Sequence, residues 1–153
     1  MEMRRKDRLV DDPDELRLIL EECKVCRIAT MDEEGLYIVP LNFGYAEENG
    51  KRVFYFHSAK SGRKLDLIAR SDEMDTGHQL MEGDTACQTS YRYMSIIGNG
   101  SIHELDDNTE KAGALNALMK HLSGRTFEFN DKMLNAVAVF KIDVSRFSGK
   151  RRI

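Results

Sequence analysis

Apolar residues recur along this chain with a period of two more often than with the period of a helix. From Leu36 to Tyr45 the odd positions Tyr37, Val39, Leu41, Phe43 and Tyr45 are large and apolar, with Ile38, Pro40, Asn42 and Gly44 between them. That spacing predicts a strand with its odd residues on the buried face. Pro40 cannot donate to a ladder and Gly44 has no side chain. The second face therefore offers either a place where a ligand lies against the backbone or an edge strand guarded by its proline. Val25 to Met31 predicts the preceding strand, joined by a hairpin turn at Asp32, Glu33, Glu34 and Gly35. Glu47, Glu48, Asn49 and Gly50 make the next turn, with Asn-Gly as its signal, and lead into the β-branched and aromatic run Val53, Phe54, Tyr55 and Phe56. Met74 to Leu80, Tyr91 to Leu105 and Ala136 to Val144 complete six strands. Gly98 and Gly100 interrupt the fifth, where a bulge or bend would curl a sheet.

Helical spacing appears in shorter pieces. Asp12, Pro13 and Glu15 form a capping-box-like start for a helix through Leu16, Ile19 and Leu20 to Glu22. Ser61 is an N-cap candidate for a second helix, with Leu65 and Ile68 on one face, ending near Arg70 and Ser71. Asp107 with Glu110 opens a third, whose stripe of Ala112, Leu115, Leu118, Met119 and Leu122 predicts core or a dimer contact and which stops at Gly124. A short helix surrounds Asp131 to Leu134, and the basic tail GKRRI is expected to fray. Six tightly connected antiparallel strands with three to four peripheral helices predict a mainly β fold, a small barrel with helices packed outside it. Residues 1–153 are expected to form a single domain.

Charge narrows the functional classes. With 26 acidic and 23 basic residues the net charge is −3, which argues against non-specific nucleic-acid binding. No apolar run approaches the ~20 residues a membrane span needs, and the N-terminal stretch lacks the apolar core of a secretory signal, so a cytoplasmic protein is expected. Cys23 and Cys26 form a C-x-x-C pair, but they stand where a helix ends, and the carbonyl end of a helix disfavours thiolates. They are read as buried thiols. His78, His103 and His121 show no metal-ligand spacing, and no metal site is predicted.

The segment after the third strand departs from ordinary charge patterning. A helix N-terminus recruits carboxylates, yet Lys60, Arg63 and Lys64 crowd this one with no acid before Asp66. Backbone N–H groups, the hydroxyls of Ser58 and Ser61 and three cations would hold a phosphate there; the alternative is a basic solvated turn.

In order and wording the segments CRIATMDEEGLYIVPLNFGY, VFYFHSAKSGRKLDLI, YMSIIGNGSIHEL and FEFNDKMLNAVAVFKIDV resemble the FMN-binding split barrels of the pyridoxamine 5'-phosphate oxidase-like family, nearest its nitroimidazole-resistance branch. The resemblance implies that Ser58, Lys60, Arg63 and Lys64 hold the FMN phosphate and that Pro40, Leu41 and Asn42 lie along the isoalloxazine. It also implies a homodimer with FMN at the interface. Physics agrees, because a barrel this small is filled by its own side chains and a flat ring must bind outside it. The chain has no Trp and lacks the aromatic-rich C-terminal segment with Arg and His by which true pyridoxamine phosphate oxidases grip their substrate. Vitamin B6 oxidation is therefore not expected.

The expected activity is that of an FMN-dependent oxidoreductase taking electrons from a reduced nicotinamide and passing them to a small nitroaromatic substrate. His57, at the strand end, serves in this reading as FMN contact and as proton donor or substrate contact; a structural hydrogen bond is the alternative. Tyr91, Arg92 and Tyr93 frame a substrate pocket or form ordinary surface. The competing function is a non-catalytic flavin- or haem-binding protein for storage or sensing.

Overall fold

The computed structural model describes residues 5–32, 35–49, 51–60 and 69–152. A 3-10 turn, Lys6–Arg8, leads into β1 (Leu9–Val10), α1 (Pro13–Glu22), β2 (Val25–Asp32), β3 (Gly35–Asn42), β4 (Gly44–Glu48), β5 (Lys51–Ala59), β6 (Ala69–Met81) and β7 (Ser90–Glu104). Helices α2 (Asn108–Ser123) and α3 (Asp131–Asn135) precede β8 (Val137–Arg152). The strands form one antiparallel sheet in the order β3-β2-β6-β7-β8-β5-β4, with β1 added to β8.

The ends of this order are consecutive in the chain. Phe43 alone joins β3 to β4, and two Cα steps reach at most about 7 Å. Seven strands laid flat would hold those ends about 29 Å apart. The sheet therefore has to roll until its edges meet at Phe43, which makes a barrel. Beyond that point the described strands show no ladder between β3 and β5, so the barrel is split rather than closed.

Each β5 residue from Val53 to Phe56 is buried because the strand is covered on both faces. Phe54 and Phe56 enter the barrel core with Ile28, Phe43, Ile96 and Ile142, into which α1 lays Leu16, Ile19 and Leu20. Val53 and Tyr55 point outward into a second core with Ala114 and Leu115 of α2 and Leu134 of α3. The α2 stripe thus packs on its own barrel. A fully buried side chain of this size contributes roughly 1.5–3 kcal/mol.

The mainly β class and the helix caps follow the sequence. Asp12 accepts from the N–H groups of Asp14 and Glu15, Asp107 from those of Thr109 and Glu110, and Gly124 ends α2 in a left-handed conformation (φ 71°). Cys23 and Cys26 are buried in the core and take part in no disulfide. Three boundaries differ. The expected strand to Tyr45 breaks at Phe43, which with β1 raises the count among the described residues to eight strands. Ala69 already begins β6, so Arg70 and Ser71 are strand and not the end of a helix, while the remainder of that helix, from Ser61, lies outside the described residues. The tail is not frayed: β8 pairs with β7 as far as Arg152 and with β1 at Gly149 and Lys150, which satisfies its backbone. No helix among the described residues is long and apolar enough to cross a membrane.

Candidate functional site

The described candidate residues lie on and just beyond the two strands that flank the split in the barrel. The last rung between β4 and β5 sets Gly44 opposite Tyr55. Beyond this rung β3 and β5 draw apart, with no ladder between them among the described residues. Side chains bridge the opening: Val39 and Leu41 of β3 line one cavity with Phe56 and Ser58 of β5. The cavity measures about 30 Å³, room for a water but not for a ring system, so the interior is filled as the size of the barrel requires.

Strand alternation then sorts the candidates by face. Leu41 and Ser58 face the interior, and Ser58 Oγ donates to the Ala59 carbonyl at 2.9 Å. Pro40, Asn42 and His57 are exposed on the outside, and Lys60 is exposed just beyond the end of β5. Arg63 and Lys64 lie outside the described residues. Pro40 and Asn42 on β3 and His57 on β5 thus lie on the outer faces of the two strands that flank the split, or seam, with Leu41 and Ser58 lining the cavity between them.

Two expectations change. Gly44 offers no ligand a berth: a Cβ there would lie 2.5 Å from Leu118 Cα, so the space beside it is taken by the α2 backbone. Asn42 is engaged too, its Nδ2 donating to the Lys24 carbonyl at 3.0 Å. As for the proline, β3 is indeed an edge strand, with Pro40 set against Arg27 of β2.

The closed end of the seam is anchored by Phe43. Its ring packs edge-on to Phe54 at 5.5 Å and tilted against His121 at 4.6 Å. His121 Nε2 donates to the Cys23 carbonyl at 2.7 Å, and Lys24 Nζ donates to the carbonyls of Glu21 (2.6 Å) and His121 (3.0 Å), tying the ends of α1 and α2 together. Burial holds the His121 pKa below its ordinary value, with the charge of Lys24 adding to the effect, so the imidazole stays neutral. Below His57 on the same face, the Tyr55 hydroxyl donates to Glu48, and burial followed by that carboxylate pushes the phenol pKa well up. Tyr55 is therefore a fixed strut, not a proton donor at neutral pH.

Sequence reasoning overlooked two neighbours. Arg27 stands beside Pro40 on the outer face, and Thr30, 5% exposed, lines the cavity. Their positions were available from the hairpin: once Asp32 pairs with Gly35, counting back sets Arg27 against Pro40.

Comparison with known proteins finds the same fold elsewhere. A putative 5-nitroimidazole antibiotic resistance protein from Bacteroides thetaiotaomicron is similar, with 28% identity over 94% of this chain and 86% of that one and a TM-score of 0.80. An FAD and haem binding protein from Mycobacterium smegmatis (16% identity, 94% and 73% covered, TM-score 0.79) shares the fold. So does a flavocytochrome from Azotobacter vinelandii (18% identity, 99% and 72% covered, TM-score 0.81). Among curated proteins, none matches. The family model described as pyridoxamine 5'-phosphate oxidase matches residues 12–151, nearly the whole chain, and the chain belongs to that family.

Proposed function

We propose that this protein binds FMN along the outer seam between β3 and β5 and works as an oxidoreductase on small molecules, nitroaromatic compounds among them. The observation that carries the reading is the seam itself. Two strand edges part beyond Phe43 without a ladder, with Pro40 and His57 exposed along them and Lys60 at one end. These residues suit a flat ring with a phosphate tail: proline presents an apolar surface, the strand edges carry backbone donors and acceptors, and the cations Lys60, Arg63 and Lys64 follow directly in sequence. Bound FMN would supply the redox chemistry. The chain holds the ring against Pro40, neutralises the phosphate with its cations and places the His57 imidazole at the seam as proton donor or substrate contact.

A homodimer fits the same surface. Leu36 and Ile38, 64% and 54% exposed, lie on the outer face of β3 beside Pro40, and a second copy covering them would exclude water from the ring.

The test is the visible spectrum and flavin affinity of the purified protein. FMN should bind far more tightly than riboflavin, and Arg63→Ala with Lys64→Ala should weaken FMN by a few powers of ten, at roughly 1.5–3 kcal/mol per charge-assisted contact. Riboflavin affinity should be unmoved. Equal affinity for the two flavins refutes the phosphate role. A Soret band with no flavin spectrum would favour haem, and tight FMN binding without turnover of a reduced nicotinamide and a nitroaromatic would leave a binding protein.

A further inference from the structure

The ends of the chain bring three cations to one phenol. The turn Lys6–Arg8 and β1 run beside the last part of β8, with Leu9 set against Lys150. In the next ladder Lys150 lies opposite Ser95 and Arg152 opposite Tyr93. Facing residues of an antiparallel pair, and alternate residues of a strand, share a face. Tyr93, Ser95, Lys150 and Arg152 therefore stand together outside the barrel, whereas Met94 and Ile96 turn into its core. Arg8 reaches the same place, its guanidinium 3.4 Å from the Tyr93 hydroxyl, and Lys150 Nζ lies 6.0 Å from the centre of the Tyr93 ring. Arg8, Tyr93, Lys150 and Arg152 are all half-buried.

The nearby carboxylates are committed elsewhere. Asp7 approaches Arg8 at 4.0 Å, but both its oxygens accept from Arg5, at 2.8 and 2.6 Å. Glu15 pairs with Arg151, which alternates to the opposite face of β8. Among the described residues no carboxylate pairs with Lys150 or Arg152. Three like charges held together at half-buried positions repel one another. The phenol relieves part of this: burial pushes the Tyr93 pKa up, but hydrogen bonds from Arg8 and Lys150 and their charges outweigh it and hold the group below the ordinary tyrosine value.

We propose that Arg8, Tyr93, Lys150 and Arg152 form a binding site for a phosphate dianion, free or as the monoester of a small molecule. A single carboxylate would leave most of the positive charge uncompensated, while a phosphate offers two charges and several acceptors to two forked guanidiniums, an ammonium and a hydroxyl. The site is distinct from the seam. β8 is laddered to β5, but Lys150 lies eleven residues along β8 from Val139, the partner of His57, about 36 Å of strand, and β2 and β6 separate β7 from β3, so the two sites fill independently and the inference does not rest on flavin binding.

The test uses protein carrying 13C-labelled tyrosine, saturated with FMN, with the Tyr93 signal assigned by Tyr93→Phe. Titration with sodium phosphate should move that signal along a saturable curve, and sodium chloride at matched ionic strength should not. Phenyl phosphate is titrated separately: tighter binding than inorganic phosphate assigns the site to a monoester, and equal or weaker binding to the free anion. Lys150→Gln and Arg152→Gln should each weaken phosphate roughly tenfold, the low end for a charge-assisted contact at a half-exposed site. Lys141→Gln, elsewhere on β8, should leave it unchanged, and Arg8→Gln supplies a third variant outside β8. A response to chloride as large as that to phosphate means screening only and overturns the site, as does unchanged phosphate affinity in folded Lys150→Gln and Arg152→Gln.

Discussion

If Phe43 is the point that rolls the sheet into a barrel, its truncation should damage both stability and the seam. The side chain is 0% exposed and packs on Phe54 and His121. Phe→Ala at such a site costs about 3–5 kcal/mol in lost burial and cavity formation. Against a total stability of about 5–15 kcal/mol this is a large fraction, and at about 2–4 °C per kcal/mol it lowers Tm by roughly 6–20 °C. Phe43→Leu refills most of the space and should cost less than about 1.5 kcal/mol. The assay is urea unfolding of both variants with linear extrapolation, followed by FMN titration at urea concentrations where each is folded. Because Phe43 sets the point from which β3 and β5 part, Phe43→Ala should also weaken FMN binding by the folded protein more than Ile38→Ala does, although Ile38 is the more exposed to a ligand. A stability loss below about 1 kcal/mol would show that the residue is not the closure point. A full loss with unaltered FMN affinity would separate core packing from seam geometry and refute the coupling.

His57→Ala should leave flavin content near normal and lower turnover per bound flavin by about 10²-fold, the low end for general acid–base catalysis, because His57 is exposed at the seam with its side chain outside the core; an unchanged rate per flavin removes it from the catalytic list. His121 should make the protein acid-sensitive. Its folded pKa is lowered by burial, so below the ordinary histidine value of about 6.5 the unfolded chain binds more protons than the native one and stability falls as pH falls through that window. In His121→Gln, which can still donate to the Cys23 carbonyl, chemical denaturation at pH 7 and pH 5.5 should give a smaller difference than wild type, and an equal difference would assign the acid sensitivity elsewhere.

Local order was written in the chain. Alternation from Tyr37 to Leu41, the caps at Asp12 and Asp107, the turn at Asn49 with its φ of 52° and the bulge beside Gly98 and Gly100 all rest on interactions between residues close in sequence or on their own dihedral preferences. Those are visible without a fold. Pro40, Leu41 and Asn42 were singled out by the resemblance to a family, and His57 by its place at a strand end. Tertiary structure decided what faces them. Gly44 looked like room for a ligand, and α2 fills it, because a glycine in a strand signals a close approach without saying of what. Phe43 looked like one more buried strand residue, and only the strand order shows it as the joint between the two edges of a rolled sheet. The tail looked loose because Lys150 to Arg152 lack apolar neighbours in sequence; ladders to β7 and β1, from residues more than fifty and more than a hundred positions away, order it. Contacts at that separation depend on how the whole chain closes, and no window of the sequence contains them.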